Sequence, residues 1–182
     1  MELSRGELQE MSLSGNPVGN MTEYLQRIYF KTGSLFATSG ESGARLSGAD
    51  TAKVDALTSY SRKIGTAFQI VDDILDFESD EISLGKPVGS DLVNGVITLP
   101  TIFAMEDDSI RQHVQEYFTQ GKPPNLLEDI VKGIEECGAV DRAQKYADNL
   151  AKEARDSLTL LPDNRYKESL EALSHFVVAR VS

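Results

Sequence analysis

The sequence has little that would support a disulfide framework, a membrane span or nucleic-acid binding. Its single cysteine, Cys137, cannot form an internal disulfide, and we expect it to be a small buried residue. The chain has 18 lysines and arginines against 29 aspartates and glutamates, and this net charge of -11 argues against nucleic acid or an anionic membrane as the main partner. The longest apolar runs are far shorter than the roughly 20 residues that a transmembrane helix needs. No charged-then-apolar leader is found, so we expect a cytoplasmic protein.

The remaining composition is that of one globular domain. With 182 residues, 40% of them hydrophobic, the chain is long enough to bury a sizeable core. Apolar residues recur every three or four positions, whereas the alternation typical of strands is nearly absent. The class is therefore all-α, with no linker that divides residues 1–182 into separate domains. Helices are predicted at about 20–39, 50–77, 107–119, 125–137, 139–160 and 164–180. Gly40, Gly43 and Gly48 are expected to end the first of them.

The longest predicted helix carries three aspartates near its end. In "FQIVDDILDF", residues 68–77, Asp72, Asp73 and Asp76 interrupt an apolar segment that has no basic residue. Helical geometry places Gln69, Asp72 and Asp76 on one narrow stripe, with Asp73 at its edge. A solvated acidic face is the plain interpretation, but like charges at i and i+4 cost roughly 0.2–0.5 kcal/mol per pair. Carboxylates one turn apart can share Mg²⁺, which usually takes one or two of them plus phosphate oxygens. The spacing therefore favours a metal site at Asp72 and Asp76.

Two lysines stand in segments that would suit a phosphate ligand. Lys86 lies in "LGKPVGSDL", residues 84–92, whose glycines let the backbone approach a ligand closely. Lys31 lies in "YFKTGSLF", with apolar residues on both sides. Taken alone, each has an ordinary explanation, a surface turn for Lys86 and a lysine at the edge of a half-buried helix for Lys31. Together with the aspartates and the amide of Gln69, they predict a site for a metal-bound diphosphate.

At these residues the sequence resembles a known family. The run "GTAFQIVDDILDF", followed by "LGKPVGSDL" and "ITLP", is similar to the second aspartate-rich region of the trans-prenyltransferases, the polyprenyl diphosphate synthases. The segments "GELQEM", "YLQRIYFKTGSLF" and "LSHFVVARVS" resemble other parts of the family, so the resemblance spans the whole chain. Bacterial heptaprenyl-like synthases look most similar. The resemblance implies an antiparallel helix bundle of the isoprenoid synthase type that is incomplete, because the amino-terminal helices are missing.

The resemblance also implies an activity and a role for each site residue. The reaction condenses an allylic diphosphate with isopentenyl diphosphate, and the metal and lysines stabilise charge on the departing diphosphate. Asp72 and Asp76 would be magnesium ligands, with Asp73 beside them. Four residues would hold the allylic diphosphate: Lys31, Thr32, Gln69 and Lys86. The catalytic set would be Asp72, Asp73, Asp76 and Lys86. Asp91 would be an acidic neighbour of the metal site, and Arg180 would reach the isopentenyl diphosphate.

Two features depart from the family pattern. Val96 stands where relatives often carry a lysine, and the family's first aspartate-rich motif does not occur in this sequence. The adjacent aspartates of "EDDSI", residues 106–110, suit a helix start instead. We therefore expect only one of the two aspartate-rich motifs that hold the metal in this family. We also expect exposed apolar surface that favours a homodimer or association with a chain supplying the first motif.

Three hypotheses stay open for the function. The chain is the carboxyl-terminal portion of an active synthase, or a catalytically inactive subunit that supports a partner prenyltransferase, or a helical scaffold unrelated to isoprenoids. The joint spacing of the aspartates, the lysines and the glycines favours the first, with Mg²⁺ as the cofactor.

Overall fold

The computed structural model of the chain describes residues 19–78 and 88–181. Within these two ranges the secondary structure is helical and contains no strand, as predicted. The α-helices of the described ranges are α1 Met21–Ile28, α2 Ser34–Leu46, α3 Thr51–Glu78, α4 Ser90–Asn94, α5 Leu99–Ala104, α6 Asp108–Thr119, α7 Pro124–Glu136, α8 Ala139–Ser157 and α9 Arg165–Val178. A π-helical segment, Tyr29–Gly33, joins α1 to α2, and 3₁₀ turns at Leu158–Leu160 and Ala179–Val181 follow α8 and α9.

Local sequence explains where several of these helices begin. Asn20, Asp107 and Asn164 precede α1, α6 and α9, and their side chains accept hydrogen bonds from backbone N–H groups of the first turn. Pro100 and Pro124 occupy the first turns of α5 and α7, where the N–H that proline lacks is not needed. Asp107 is therefore a helix cap, which agrees with the structural interpretation of "EDDSI".

The structure corrects three expectations about local structure. Helix α2 continues through Gly40 and Gly43, because a helical glycine costs only about 0.5–1 kcal/mol and the same helix buries Ala37 and Ala44 in the core. The predicted loop before Pro100 contains the short helix α4. Cys137 is exposed, not buried, because it lies at the carboxyl end of α7 beyond the last buried turn.

Helix α3 is the centre of the bundle and positions the candidate site. It has 28 residues, or about 42 Å, and packs mainly against α2 and α8. Its side chains at Ile64, Ile70 and Ile74 are completely buried. A Cβ atom at Gly65 would lie 2.8 Å from the Cβ of Phe36 on α2, so these two helices approach closely only because residue 65 is a glycine. This approach holds the π-helical segment beside the second half of α3.

A second apolar cluster covers the carboxyl end of α3. Phe77 belongs to it, together with Leu92 of α4 and Ile97, both of which are buried. The cluster fixes the segment that follows α4 against the helix that carries the aspartates. The main core, which contains Ile64, Ile70 and Ile74, and this cluster both include residues of α3, and the single domain over residues 1–182 stays a prediction. No helix of the described ranges has the length and apolar character to cross a membrane.

Candidate functional site

A pocket of about 80 Å³ lies where α1, the π-helical segment and α3 meet the segment that contains α4 and the start of α5. Its lining consists of Arg27, Ile28, Lys31, Gln69, Asp72, Asp73, Asp91, Val96 and Thr98. Four residues of the predicted site therefore share one pocket: Lys31, Gln69, Asp72 and Asp73. Carboxylates and basic side chains face each other there, which is the charge distribution that a metal-bound anion requires.

The π-helical segment contributes Lys31 and Thr32 to this region. A π-helical turn inside an α-helix is rare and frequently marks a functional site, because it changes the direction of the side chains that follow. The hydroxyl of Thr32 donates a hydrogen bond to Oε1 of Gln69 at 2.8 Å. Nε2 of Gln69 in turn donates to Oδ1 of Asp73 at 3.0 Å. Thr32 therefore fixes the orientation of the Gln69 amide and, through it, one oxygen of Asp73.

Asp73 is the buried carboxylate of the pocket. Its side chain is 6% exposed, and its second oxygen accepts a hydrogen bond from the hydroxyl of Tyr24 at 2.8 Å. Burial raises the pKa of Asp73 to about 7, with a further contribution from Asp91, against the hydrogen bonds and Arg27, which lower it. Burial and the neighbouring Asp73 also raise the pKa of Tyr24 well above its usual value. Near neutral pH, Asp73 thus changes between its charged and neutral forms inside the folded chain.

Asp72, the preceding residue, is the exposed carboxylate. Its side chain is 53% exposed, and Oδ1 lies 3.7 Å from Nη2 of Arg180. Arg180 belongs to the 3₁₀ turn after α9, and its guanidinium lies 4.9 Å from the ring centroid of Phe68. A positive charge near Asp72 therefore comes from the far end of the chain, because the aspartate-rich turn of α3 has no basic residue of its own.

Asp76 has a different environment from the other two aspartates. Oδ1 of Asp76 accepts hydrogen bonds from the backbone N–H and the hydroxyl of Ser90, and Oδ2 accepts one from the N–H of Asp91 at 3.0 Å. Since α4 begins at Ser90, this carboxylate satisfies donors at a helix amino terminus. The residue before it, Gly89, has a φ of 75°, a conformation that favours glycine. Asp76 is absent from the described lining of the pocket, and its role as a metal ligand stays a prediction.

The carboxylates of the pocket can be tested for their fit to Mg²⁺. Among the described residues, no group of three or more carboxylate, histidine or cysteine side chains forms a preformed metal cage. Mg²⁺ does not need one, because one or two protein carboxylates suffice when phosphate oxygens and water complete its shell. Asp72 and Asp73 provide hard oxygen donors of this kind. Lys86 lies outside the described residues, so its predicted part in the site is untested.

Among the residues of the site that the sequence patterns missed are Tyr24 and Arg27. Arg27 is 8% exposed, and its Nη2 donates a hydrogen bond to the carbonyl oxygen of Ile97 at 2.7 Å. Tyr24, Arg27 and Lys31 are spaced by three and four residues, so one helix face carries all three. That spacing could have found them. Asp91 and Arg180, which the resemblance placed near the site, do lie there.

Comparisons with known proteins agree on one family. The sequence profile described as "Polyprenyl synthetase" matches residues 1–134 of the chain. Octaprenyl diphosphate synthase of Haemophilus influenzae is 34% identical over 180 residues, which are 98% of this chain and 55% of that protein. Heptaprenyl diphosphate synthase component 2 of Bacillus subtilis is 33% identical over 180 residues, 99% of this chain and 51% of that protein.

Solved structures extend the same likeness to the fold. Heptaprenyl diphosphate synthase from Staphylococcus aureus matches with a TM-score of 0.93 at 33% identity, over 100% of this chain and 57% of that one. A polyprenyl synthase from Caulobacter crescentus, complexed with calcium and isoprenyl diphosphate, matches with a TM-score of 0.89 at 30% identity. The match covers 100% of this chain and 56% of that one. The predicted isoprenoid synthase bundle is thereby confirmed, and the chain spans about half the length of the relatives that it matches.

Proposed function

Because the chain belongs to the polyprenyl synthetase family of prenyltransferases, we propose that it contributes to magnesium-dependent condensation of an allylic diphosphate with isopentenyl diphosphate. In this proposal the chain supplies the second aspartate-rich motif of the catalytic site. The observation that carries the proposal is the pocket in which Asp72 and Asp73 of α3 share a lining with Arg27 and Lys31. A small pocket with both signs of charge suits a metal-bound diphosphate better than either ion alone.

The carboxylates of α3 would hold the metal. Asp72 is exposed at the pocket, so we assign it as the principal ligand of Mg²⁺. Asp73 lies beside it, and Asp76 remains a proposed second ligand that would have to release hydrogen bonds to Ser90 and Asp91. When bound, Mg²⁺ would neutralise the charge that develops on the departing diphosphate. The complex of the similar Caulobacter crescentus protein with calcium and isoprenyl diphosphate supports a divalent cation together with a diphosphate in this fold.

The other residues of the site would bind and orient the diphosphate. Lys31 lines the pocket, and we assign Lys31 and Lys86 to phosphate oxygens because an ammonium group is a common phosphate ligand. Thr32 donates a hydrogen bond to Gln69, and Gln69 donates one to Asp73. We therefore propose that Thr32 and Gln69 orient the carboxylate of Asp73. Their remaining donors and acceptors would bind the diphosphate. A fixed arrangement of this kind stabilises developing charge with little rearrangement.

The rest of the catalytic site is proposed to come from the part of a synthase that lies outside these 182 residues, on the same polypeptide, on a second copy or on a partner chain. The chain covers 55% of the Haemophilus influenzae relative and 57% of the Staphylococcus aureus structure, so much of a complete synthase lies outside it. The Bacillus subtilis relative is itself named as a component, which supports division of this activity between chains. The alternative is a catalytically inactive subunit that supports a partner prenyltransferase.

A prenyl-transfer assay tests the proposal. The purified chain is incubated with farnesyl diphosphate, labelled isopentenyl diphosphate and Mg²⁺, with and without a polyprenyl synthase fragment that carries the first aspartate-rich motif. We expect little or no longer product from the chain alone, product when the fragment is added, and no rescue by chain carrying Asp72→Ala. Product from these 182 residues alone would contradict the need for any further part of a synthase. Absence of product in both mixtures would favour the inactive subunit.

A further inference from the structure

We propose that Thr98 is a further diphosphate-binding residue of the pocket, and that its hydroxyl donates a hydrogen bond to a phosphate oxygen. The inference rests on the proposed function, because it takes the pocket as the site of a metal-bound diphosphate. It adds a neutral hydrogen-bond donor from the residue that precedes α5.

The first observation is that the hydroxyl of Thr98 is unsatisfied in the folded chain. The residue is 2% exposed, and its Oγ1 is buried without a hydrogen-bond partner within the described ranges. A buried polar group that forms no hydrogen bond is unfavourable, because it has lost its bonds to water and gained none in return. Native structures contain few such groups, and a bound ligand is one way in which they become satisfied.

The second observation is that this hydroxyl does not cap the helix that follows it. A threonine immediately before a helix usually accepts a hydrogen bond from a backbone N–H of the first turn. The side chain of Thr98 forms no such bond, whereas its backbone carbonyl accepts one from the N–H of Ile102 at 2.9 Å. The backbone of Thr98 therefore begins α5, and its hydroxyl stays available for another group.

The third observation is the position of Thr98 in the pocket. It lines the pocket together with Arg27 and Lys31. Nη2 of Arg27 donates a hydrogen bond to the carbonyl oxygen of Ile97 at 2.7 Å, which fixes the residue next to Thr98. Phosphate oxygens are strong acceptors, and a threonine hydroxyl can donate to them. A diphosphate that is attracted by the two basic side chains brings such an acceptor to Oγ1 of Thr98.

Thr101 provides a matched control for Thr98. It is completely buried, and its Oγ1 also has no hydrogen-bond partner in the described part of the chain. Thr101 is not among the described residues that line the pocket. Thr98→Val and Thr101→Val both replace an unsatisfied hydroxyl by a methyl group of nearly the same shape, so neither should lower the urea concentration at the midpoint of unfolding. A difference in ligand binding between the two variants therefore reports on the pocket.

Calorimetric titration of the 182-residue chain with inorganic pyrophosphate in Mg²⁺ tests the inference. Thr98→Val should bind about tenfold more weakly than the wild type, the loss expected for a hydrogen bond to a charged group. Thr101→Val should bind as the wild type does, and Thr98→Ser, which keeps the hydroxyl, should retain most of the affinity. Mn²⁺ alone, followed by electron paramagnetic resonance, should bind equally well to Thr98→Val and to the wild type, because the hydroxyl contacts the phosphate and not the metal.

Each contrary result has a distinct meaning. If the wild type binds pyrophosphate and Thr98→Val binds it equally well, or if Thr101→Val or Thr98→Ser loses as much affinity as Thr98→Val, the inference is wrong and the proposed diphosphate site stands. If Thr98→Val binds Mn²⁺ alone more weakly, the hydroxyl serves the metal and its assignment to phosphate is wrong. If the wild type binds no pyrophosphate in Mg²⁺, the proposed site and the inference both fail.

Discussion

At the scale of single residues, two adjacent aspartates of α3 have opposite surroundings. Asp72 lies half exposed near Arg180, whereas Asp73 is buried and bonded to Tyr24 and Gln69. Consecutive residues of a helix point about 100° apart, so an amphipathic helix exposes one of them and buries the other. The pair therefore leaves one carboxylate accessible from solution and keeps the second one fixed behind it.

The raised pKa of Asp73 predicts a change of stability with pH. An unfolded aspartate has a pKa of about 3.9, whereas burial raises that of Asp73 to about 7, so between these values the folded chain binds a proton that the unfolded chain does not. The stability contributed by neutral Asp73 is full below pH about 4 and is lost as the pH rises through about 7. Asp73→Asn keeps the shape of the side chain and removes this dependence. The free energy of unfolding of Asp73→Asn, relative to that of the wild type, should be roughly 2–3 kcal/mol more favourable to the variant at pH 8 than at pH 5.

Urea unfolding in the presence of a chelator, at both pH values, measures this difference. Equal gains at pH 5 and pH 8 would show that the proton affinity of Asp73 is not raised in the folded chain.

At the scale of helices, the sequence predicted most elements but not how they meet. Periodicity and caps located α3, α6, α7, α8 and α9 because these signals are local. The π-helical segment was missed, since Tyr29–Gly33 has the apolar spacing of a continuous helix. The hydrogen bonds between Asp76 and Ser90 could not be predicted from the sequence either, because they join residues 14 positions apart through the packing of α4. The helical wheel therefore grouped Asp76 with Asp72, whereas the pocket contains Asp73.

Removal of the Asp76 carboxylate tests its structural role at the start of α4. Asp76→Ala loses hydrogen bonds to Ser90 and Asp91, as happens when a helix cap is truncated. We expect the free energy of unfolding to fall by roughly 1–2 kcal/mol, with faster amide exchange over residues 90–94. Asp72→Ala is the matched control and should cost less than about 1 kcal/mol, because it loses only a partly exposed ion pair. Urea unfolding without metal compares the two, and equal losses would mean that Asp76 does not support α4.

At the scale of the whole molecule, the site gathers segments that are distant in the sequence. Helix α1 and the π-helical segment, the end of α3, the residues around α4 and the last turn all contribute to one region. The resemblance to polyprenyl synthases indicated which residues to expect there, because motifs are local. It could not predict that Asp72 and Asp73 line the pocket while Asp76 caps α4, because this difference depends on tertiary packing. Exposed apolar side chains at Leu35, Leu173 and Phe176 are consistent with the predicted association with another chain, which stays a prediction.

The most direct test of the account is calorimetric binding of inorganic pyrophosphate to the chain. We predict binding in Mg²⁺, none in a chelator, and at least about tenfold weaker binding by Asp72→Ala, since loss of one charged ligand costs about 1.5–3 kcal/mol. Asp148→Ala, which removes an equivalent charge from α8 outside the pocket, should bind as the wild type does. Equal affinity with and without Mg²⁺, or unchanged binding by Asp72→Ala, would contradict the assignment of this pocket as a metal-bound diphosphate site.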